Sequence, residues 1–167
     1  MSTCLSIIRK GEHMIILTCG IPGSGKSTWA KRKLANYDYY KHVSRDEIRF
    51  SLVAPGAPYF SKEREVFKRF VDQICKFDKE GFDVIADATH ISKISRKKLI
   101  DAVLAKNPNA IFGVAYFDTP YEECLERNEF RLGTRQHVPL HVMEEMRDNL
   151  EVPTVEENNI FMVFKEE

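Results

Sequence analysis

Apolar residues in this chain fall into two kinds of stretch: short unbroken runs, and longer segments in which they recur every three or four positions. Met14–Cys19, Phe82–Ala86 and Ala110–Phe117 are runs of the first kind, the length of strands buried on both faces. Lys41–Ser44 and Ile160–Phe164 are weaker strand candidates. Helical spacing fills the gaps. Trp29–Ala35 gives the first helix. A long helix with Phe67, Phe70, Val71, Ile74 and Cys75 on one face follows the loop Ala54–Pro58, with Ser61 as its predicted N-cap and Gly81 as its end. Ser92 or Ser95 caps a helix bearing Leu99, Ile100, Val103 and Leu104, closed by Asn107-Pro108-Asn109. Thr119-Pro120-Tyr121-Glu122 has the form of a capping box opening a helix to about Phe130, and another helix runs to about Leu150. Strands alternating with helices predict a three-layer α/β/α fold with a mostly parallel sheet of four to five strands. Residues 14–167 form one domain in this reading. Residues 1–13 are an N-terminal extension, natural or added in cloning, in which Ser6–Arg9 would make a short edge strand.

Composition narrows the picture modestly. A chain of 167 residues with 43% hydrophobic and 30% charged residues suits one soluble domain with one core. No run reaches membrane-spanning length and the N-terminus lacks a signal-peptide core, so the expected address is the cytoplasm, with no membrane partner. Cys4, Cys19, Cys75 and Cys124 are scattered, without metal-ligand spacing, and three of them sit in apolar patterns that suit buried thiols. Lys plus Arg balances Asp plus Glu at 25 each, which argues against nucleic-acid binding through bulk charge. The cluster Lys93, Arg96, Lys97 and Lys98 leaves room for a small local site for a phosphorylated ligand, and the stretch from Glu144 onward is acidic. Oligomeric state is left open.

Between the first strand and the first helix stands Gly20–Thr28, GIPGSGKST, which matches the phosphate-binding loop in full. Its glycines, Gly20, Gly23 and Gly25, let successive N–H groups turn toward phosphate oxygens. Lys26 supplies a cation for the β and γ phosphates, and the Ser27 hydroxyl is placed to ligate Mg²⁺. With Ser24 and Thr28 these are the ATP-binding candidates. The third strand ends Asp87-Ala88, without the Asp-Glu of many ATPases, and no Asn-Lys-x-Asp guanine reader follows the fourth. What remains is phosphoryl transfer to a bound acceptor, which needs a base, a metal and cations.

Asp46 is the candidate base, at the end of the second strand, with Arg49 one helical turn on to grip an acceptor phosphate. Asp87 is poised for the Mg²⁺ shell or for orienting an arginine. Arg127 and Arg131 lie four apart on one helical face, and Arg135 lies in a loop able to close over nucleotide; these are the candidate arginines for the nucleotide phosphates, Arg127 and Arg135 as binding residues and Arg131 as a catalytic one. Trp29 is assigned to packing. Tyr59 and Phe60 suit either acceptor-base stacking or the edge of the core. His90, His137 and His141 form no metal or catalytic pairing.

ILTCGIPGSGKSTWA, SRDEIR, VIADAT and ERNEFRLGTRQHVP, in this order, resemble the kinase domain of the bacteriophage polynucleotide kinase/phosphatase family, from Met14 to the low 150s. The resemblance implies an ATP- and Mg²⁺-dependent 5′-hydroxyl kinase acting on DNA or RNA ends. In it Lys26 and Ser27 bind ATP and Mg²⁺, Asp46 is the general base, Arg49 holds the acceptor phosphate, Asp87 is an active-site contact and Arg131 meets the donor phosphates. Three departures stand out: His90 replaces the family's usual Asn, Leu132 lengthens the lid so that Arg131 or Arg135 takes the lid role, and the family's phosphatase signature is absent. A kinase for a small molecule or a specific RNA, and a non-catalytic nucleotide-binding module, are the alternatives.

Overall fold

The computed structural model describes residues 12–166, so Cys4 and the Ser6–Arg9 strand expectation lie outside the described residues. Five strands, β1 (Ile15–Cys19), β2 (Tyr40–Ser44), β3 (Asp83–Asp87), β4 (Phe112–Phe117) and β5 (Ile160–Glu166), form one sheet in the order β2-β3-β1-β4-β5. Every pairing is parallel. Parallel neighbours need crossovers, and the helices provide them: α1 (Lys26–Asn36), α2 (Arg45–Leu52), α3 (Glu63–Lys79), α4 (Lys93–Leu104), α5 (Tyr121–Glu129) and α6 (Leu140–Asp148).

Side-chain alternation along the central strands divides the core in two. Ile15, Leu17, Val43, Val84, Ala86 and Val114 face one way and pack with Ile48 of α2, Phe70 and Ile74 of α3, and Leu99 and Val103 of α4. Met14, Ile16, Ile85, Ala115 and Phe117 face the other way, against Trp29 and Ala30 of α1. Trp29 meets Phe117 edge-on at 5.7 Å, the packing role its position in α1 predicts. A third cluster, Ile21, Cys124 and Met143, ties the loop after β1 to α5 and α6. Phe70, wholly buried, is the sort of residue whose truncation to alanine costs about 3–5 kcal/mol. Cys19, Cys75 and Cys124 are buried free thiols.

Some local expectations are corrected. Ser61 does not cap α3: its N–H bonds Pro58 O at 3.0 Å in a turn, and Lys62 occupies the cap without a side-chain bond. Thr119 does not close a capping box; its hydroxyl donates to Ser24 O at 2.9 Å, and Pro120 precedes α5. Ser92 and Ser95 form a reciprocal capping box at the start of α4, with Ser92 as the cap. β4 begins at Phe112 rather than Ala110. The basic cluster dissolves because helical periodicity separates its members. Arg96 turns fully inward and donates to both Glu157 oxygens, at 2.8 and 2.7 Å, and to His90 O at 2.8 Å. Lys97 pairs with Asp101, and Lys98 lies over the Phe67 ring. No helix among the described residues is long and apolar enough to cross a membrane.

Candidate active site

The loop between β1 and α1 is shaped from beneath and from the side. Gly23 has φ 84°, and a Cβ there would stand 2.5 Å from Cys124 O, so α5 presses directly on the loop backbone. Gly25, at φ 98°, turns the chain into α1. Two bonds and one close contact from the α5 region hold the loop: Thr119 on Ser24 O, already noted, Arg127 Nη1 donating to Gly23 O at 3.0 Å, and the close approach at Cys124. Arg127 is also paired with Glu123. Lys26 is buried and donates to Ile21 O at 2.7 Å and to Ser24 Oγ at 3.3 Å. Burial pushes its ammonium below the usual lysine value, while the charges of Asp87 and, more weakly, Asp46 act in the other direction.

Asp87 ends β3 on the sheet face shared with α1. Its Oδ2 accepts from Ser27 Oγ at 2.8 Å and from His42 Nε2 at 2.9 Å. His42 lies on β2, opposite Ile85, so its side chain shares that face with Asp87. Burial alone would raise the Asp87 carboxyl, but the bonds from His42 and Ser27 and the Lys26 charge hold it below the usual carboxylate value. An ionised carboxylate touching a solvent-exposed hydroxyl is a hard-oxygen donor pair, and it suits Mg²⁺, which takes one or two protein oxygens and completes its shell with phosphate and water.

Ser44 caps α2 by accepting from Glu47 N at 3.2 Å, which places Asp46 in the first turn and Arg49 one turn later. The two form an ion pair in which Asp46 is 62% exposed and Arg49 only 6%. Arg49 is held on its other edge by Glu63, with Nη2 donating to Oε2 at 2.9 Å. Arg45 also pairs with Glu63. Tyr59 completes the group: its Oη accepts from Arg49 Nη1 and donates to Asp46 Oδ1, each at 2.9 Å. Burial and the Asp46 charge push the Tyr59 hydroxyl up to about 12, so it stays a donor. Burial opposes the Arg49 charge, but Tyr59, Glu63 and Asp46 together keep it firmly cationic. Tyr59 and Phe60 are 42% and 67% exposed, so they belong to the surface rather than to the core edge.

The segment after α5 is clasped at its neck. Asn128, wholly buried, donates to Val138 O at 2.8 Å and accepts from Val138 N at 3.0 Å. Arg131, within this segment, has no hydrogen-bond or ion-pair partner for its guanidinium among the described residues. Arg135 reaches away from the phosphate loop and donates to Phe50 O at 3.2 Å and Val53 O at 2.5 Å. His90 is buried with φ 39°, its Nδ1 donating to Thr18 O at 2.9 Å and its Nε2 without a partner. Its ring stacks on that of Phe70, with 6.2 Å between centroids. His42, Glu63 and Asn128 are not singled out from the sequence as site residues, and Tyr59 is singled out there for its ring but not for its hydroxyl. The alternation that puts His42 on the Asp87 face was the one signal available for any of them.

Comparison with known proteins extends the picture. A protein of Autographa californica nuclear polyhedrosis virus named as a bifunctional polynucleotide kinase/RNA ligase is 29% identical over 132 residues, covering 70% of this chain and 18% of that protein. The L-seryl-tRNA(Sec) kinase of Methanococcus maripaludis is 26% identical over 145 residues, covering 84% of this chain and 53% of that enzyme. Among solved structures, a chain of the Pnkp1/Rnl/Hen1 RNA repair complex superposes with a TM-score of 0.68 at 27% identity, covering 85% of this chain and 46% of that one. The chain thus spans about half or less of each of these relatives. The AAA domain family matches residues 15–153, nearly the whole of the sheet and the segment with the three arginines, and implies nucleotide binding at the phosphate loop. On that match, the chain belongs to the AAA domain family.

Proposed function

We propose that the protein is an ATP-dependent polynucleotide 5′-hydroxyl kinase, with residues 14–167 as one kinase domain. The observation that carries this reading is the convergence on Lys26. Asp87 bonds the neighbouring Ser27, and Asp46, an exposed carboxylate paired with a buried arginine, is a second carboxylate whose charge acts on Lys26. The viral relative named for polynucleotide kinase activity supports the same acceptor class.

In this mechanism the phosphate loop and Lys26 hold the triphosphate, and Arg131 adds a cation where donor charge spreads in the transition state. Mg²⁺ would be held through Ser27 and Asp87 and would supply neutralisation of the β and γ phosphate charge. Asp46 accepts the proton of the 5′-hydroxyl as its oxygen attacks the γ-phosphorus. The bond from that phosphorus to the β-bridging oxygen breaks, and ADP leaves. Glu63 holds the Nε and Nη2 edge of Arg49, so an acceptor phosphate would bind at Nη1 by displacing the contacts that Asp46 and Tyr59 make there. Tyr59 and Phe60, exposed beside Arg49, suit a nucleobase, since every base has a stacking face.

The seryl-tRNA kinase relative, matched over 84% of this chain, supports a second reading, in which the acceptor is a hydroxyl on a specific RNA rather than a 5′ end. The test is ATP consumption with a 5′-hydroxyl oligonucleotide, with its 5′-phosphorylated counterpart, and with neither. The kinase reading requires turnover only with the first. Turnover independent of any 5′-hydroxyl end contradicts it.

A further inference from the structure

We infer that Arg135 is a latch that couples nucleotide binding under the lid to acceptor binding at α2, and that it is a positioning residue rather than a ligand of ATP. The inference rests on the proposed reading, in which α2 is the acceptor side and the segment after α5 is the lid.

The geometry is specific. Residues 130–139 leave α5 beside the phosphate loop and return to α6, with the two backbone bonds of Asn128 to Val138 closing the neck. Inside the neck the chain turns back on itself, with Thr134 N bonded to Arg131 O at 2.9 Å. That turn carries Arg135 across the site to the last turn of α2. There its guanidinium donates to Phe50 O and Val53 O and lies 4.6 Å from the Phe50 ring centroid. Carbonyls at a helix C-terminus lack intrahelical partners and sit at the negative end of the helix dipole, so a planar cation with two donors is well matched to them. Arg135 therefore caps from across the site the same helix that holds Asp46 and Arg49.

The contact continues toward the reacting groups. The Phe50 ring meets Tyr59 edge-on at 6.4 Å, and the Tyr59 hydroxyl bonds both Asp46 and Arg49. The lid's tip and the acceptor's base and cation thus share one packed path of three side chains. Arg131, four residues earlier, points no bond at α2 and is free to serve the donor. The two lid arginines divide the work, one toward each substrate. If nucleotide stabilises the closed lid, it also stabilises the α2 arrangement that receives the acceptor. By linkage the acceptor must then tighten nucleotide binding by the same factor.

The test is a binding cycle on the whole chain. Affinities for a non-hydrolysable ATP analogue with Mg²⁺ and for a 5′-hydroxyl oligonucleotide are measured separately and each in the presence of the other. Wild-type protein should show each ligand tightening the other by the same factor, about fivefold or more. Arg135→Ala should reduce that factor to about one while leaving each separate affinity within about twofold. Arg135→Lys, which keeps the charge and one donor, should recover part of it, and Phe50→Leu, which removes the ring and keeps the backbone carbonyl, should lose part of it. An Arg135→Ala protein with wild-type coupling overturns the latch. So does one whose affinity for the analogue alone falls about tenfold, which would make Arg135 a nucleotide ligand. A wild-type protein that binds the analogue but no 5′-hydroxyl end overturns the acceptor reading itself, a result distinct from either.

Discussion

Ser27 and Asp87, 60 residues apart in sequence, meet at 2.8 Å where β1 and β3 lie side by side in the sheet. The contact joins the first residues of α1 to the end of the third strand, and it places the two oxygens best suited to Mg²⁺ beside Lys26. Asp87→Asn keeps the shape and removes the charge. Transfer should fall by about 10²-fold or more, the scale for losing a charge that acts on the transition state. Raising Mg²⁺ should recover part of the loss, measured as initial rate against Mg²⁺ concentration. A rate equal to wild type at every Mg²⁺ level would remove Asp87 from the site.

Glu63 and Tyr59 hold opposite edges of Arg49. Glu63→Gln takes away the charge that holds Nε and Nη2, so Arg49 should swing and loosen its partner Asp46. We expect transfer to drop about tenfold or more from misplacement of the base, with little change in analogue binding. Because Glu63 is about one third exposed, the stability cost should be modest, about 1–2 kcal/mol by chemical denaturation. A loss of analogue affinity with normal transfer at saturation would place Glu63 on the donor side.

Arg49 and Arg131 should separate acceptor from donor. Arg49→Ala should weaken transfer most to a nucleoside carrying a 3′-phosphate beside its 5′-hydroxyl, and removing that phosphate should make mutant and wild type more alike. Arg131→Ala should depress transfer to every acceptor by a similar factor. Equal losses for Arg49→Ala on both substrates would mean that its phosphate contact is misassigned.

His90 predicts a pH signature. Burial, with Arg45 and Arg96 adding to it and the Thr18 carbonyl opposing, pushes its imidazole down to about 4 from 6.5. The unfolded chain therefore binds more protons between these values, so stability falls as pH drops below about 6.5 and the loss is complete near pH 4. It amounts to roughly 3 kcal/mol. Asp87, held below the usual carboxylate value, adds its own loss only at lower pH. Asp78 and Asp83, raised by burial, act in the opposite sense and cancel when mutant is compared with wild type. His90→Asn should flatten the acid limb of a melting-temperature profile in this window. Parallel profiles would contradict the assignment.

The fold was largely legible because its central strands β1, β3 and β4 are short, mostly apolar and buried, and because the phosphate loop fixes where β1 ends and α1 begins. The ends of β3 and β2 follow from the same pattern, which is why Asp87 and Asp46 stand out. What stayed hidden depends on distance in sequence. Glu63 reaches Arg49 across 14 residues, and Asn128 earns its place through a backbone partner ten residues on. Neither leaves a periodic trace. Arg96 misled for the opposite reason: among lysines it looks like surface charge, and only Glu157, 61 residues later, shows that it is buried and paired. Thr119 resembled a helix cap because the local pattern suits one, yet its hydroxyl finds a loop carbonyl 95 residues away.

The central claim is that Asp46 takes the proton of a 5′-hydroxyl on a bound nucleic-acid end. The direct measurement follows transfer of labelled γ-phosphate from ATP to a 5′-hydroxyl oligonucleotide in single turnover, with analogue affinity measured in parallel, for wild type and Asp46→Asn. The predicted result is label on the 5′ end with wild type, a loss of about 10²-fold or more in the variant, and unchanged analogue affinity. Transfer at the wild-type rate by a folded Asp46→Asn protein would contradict the account.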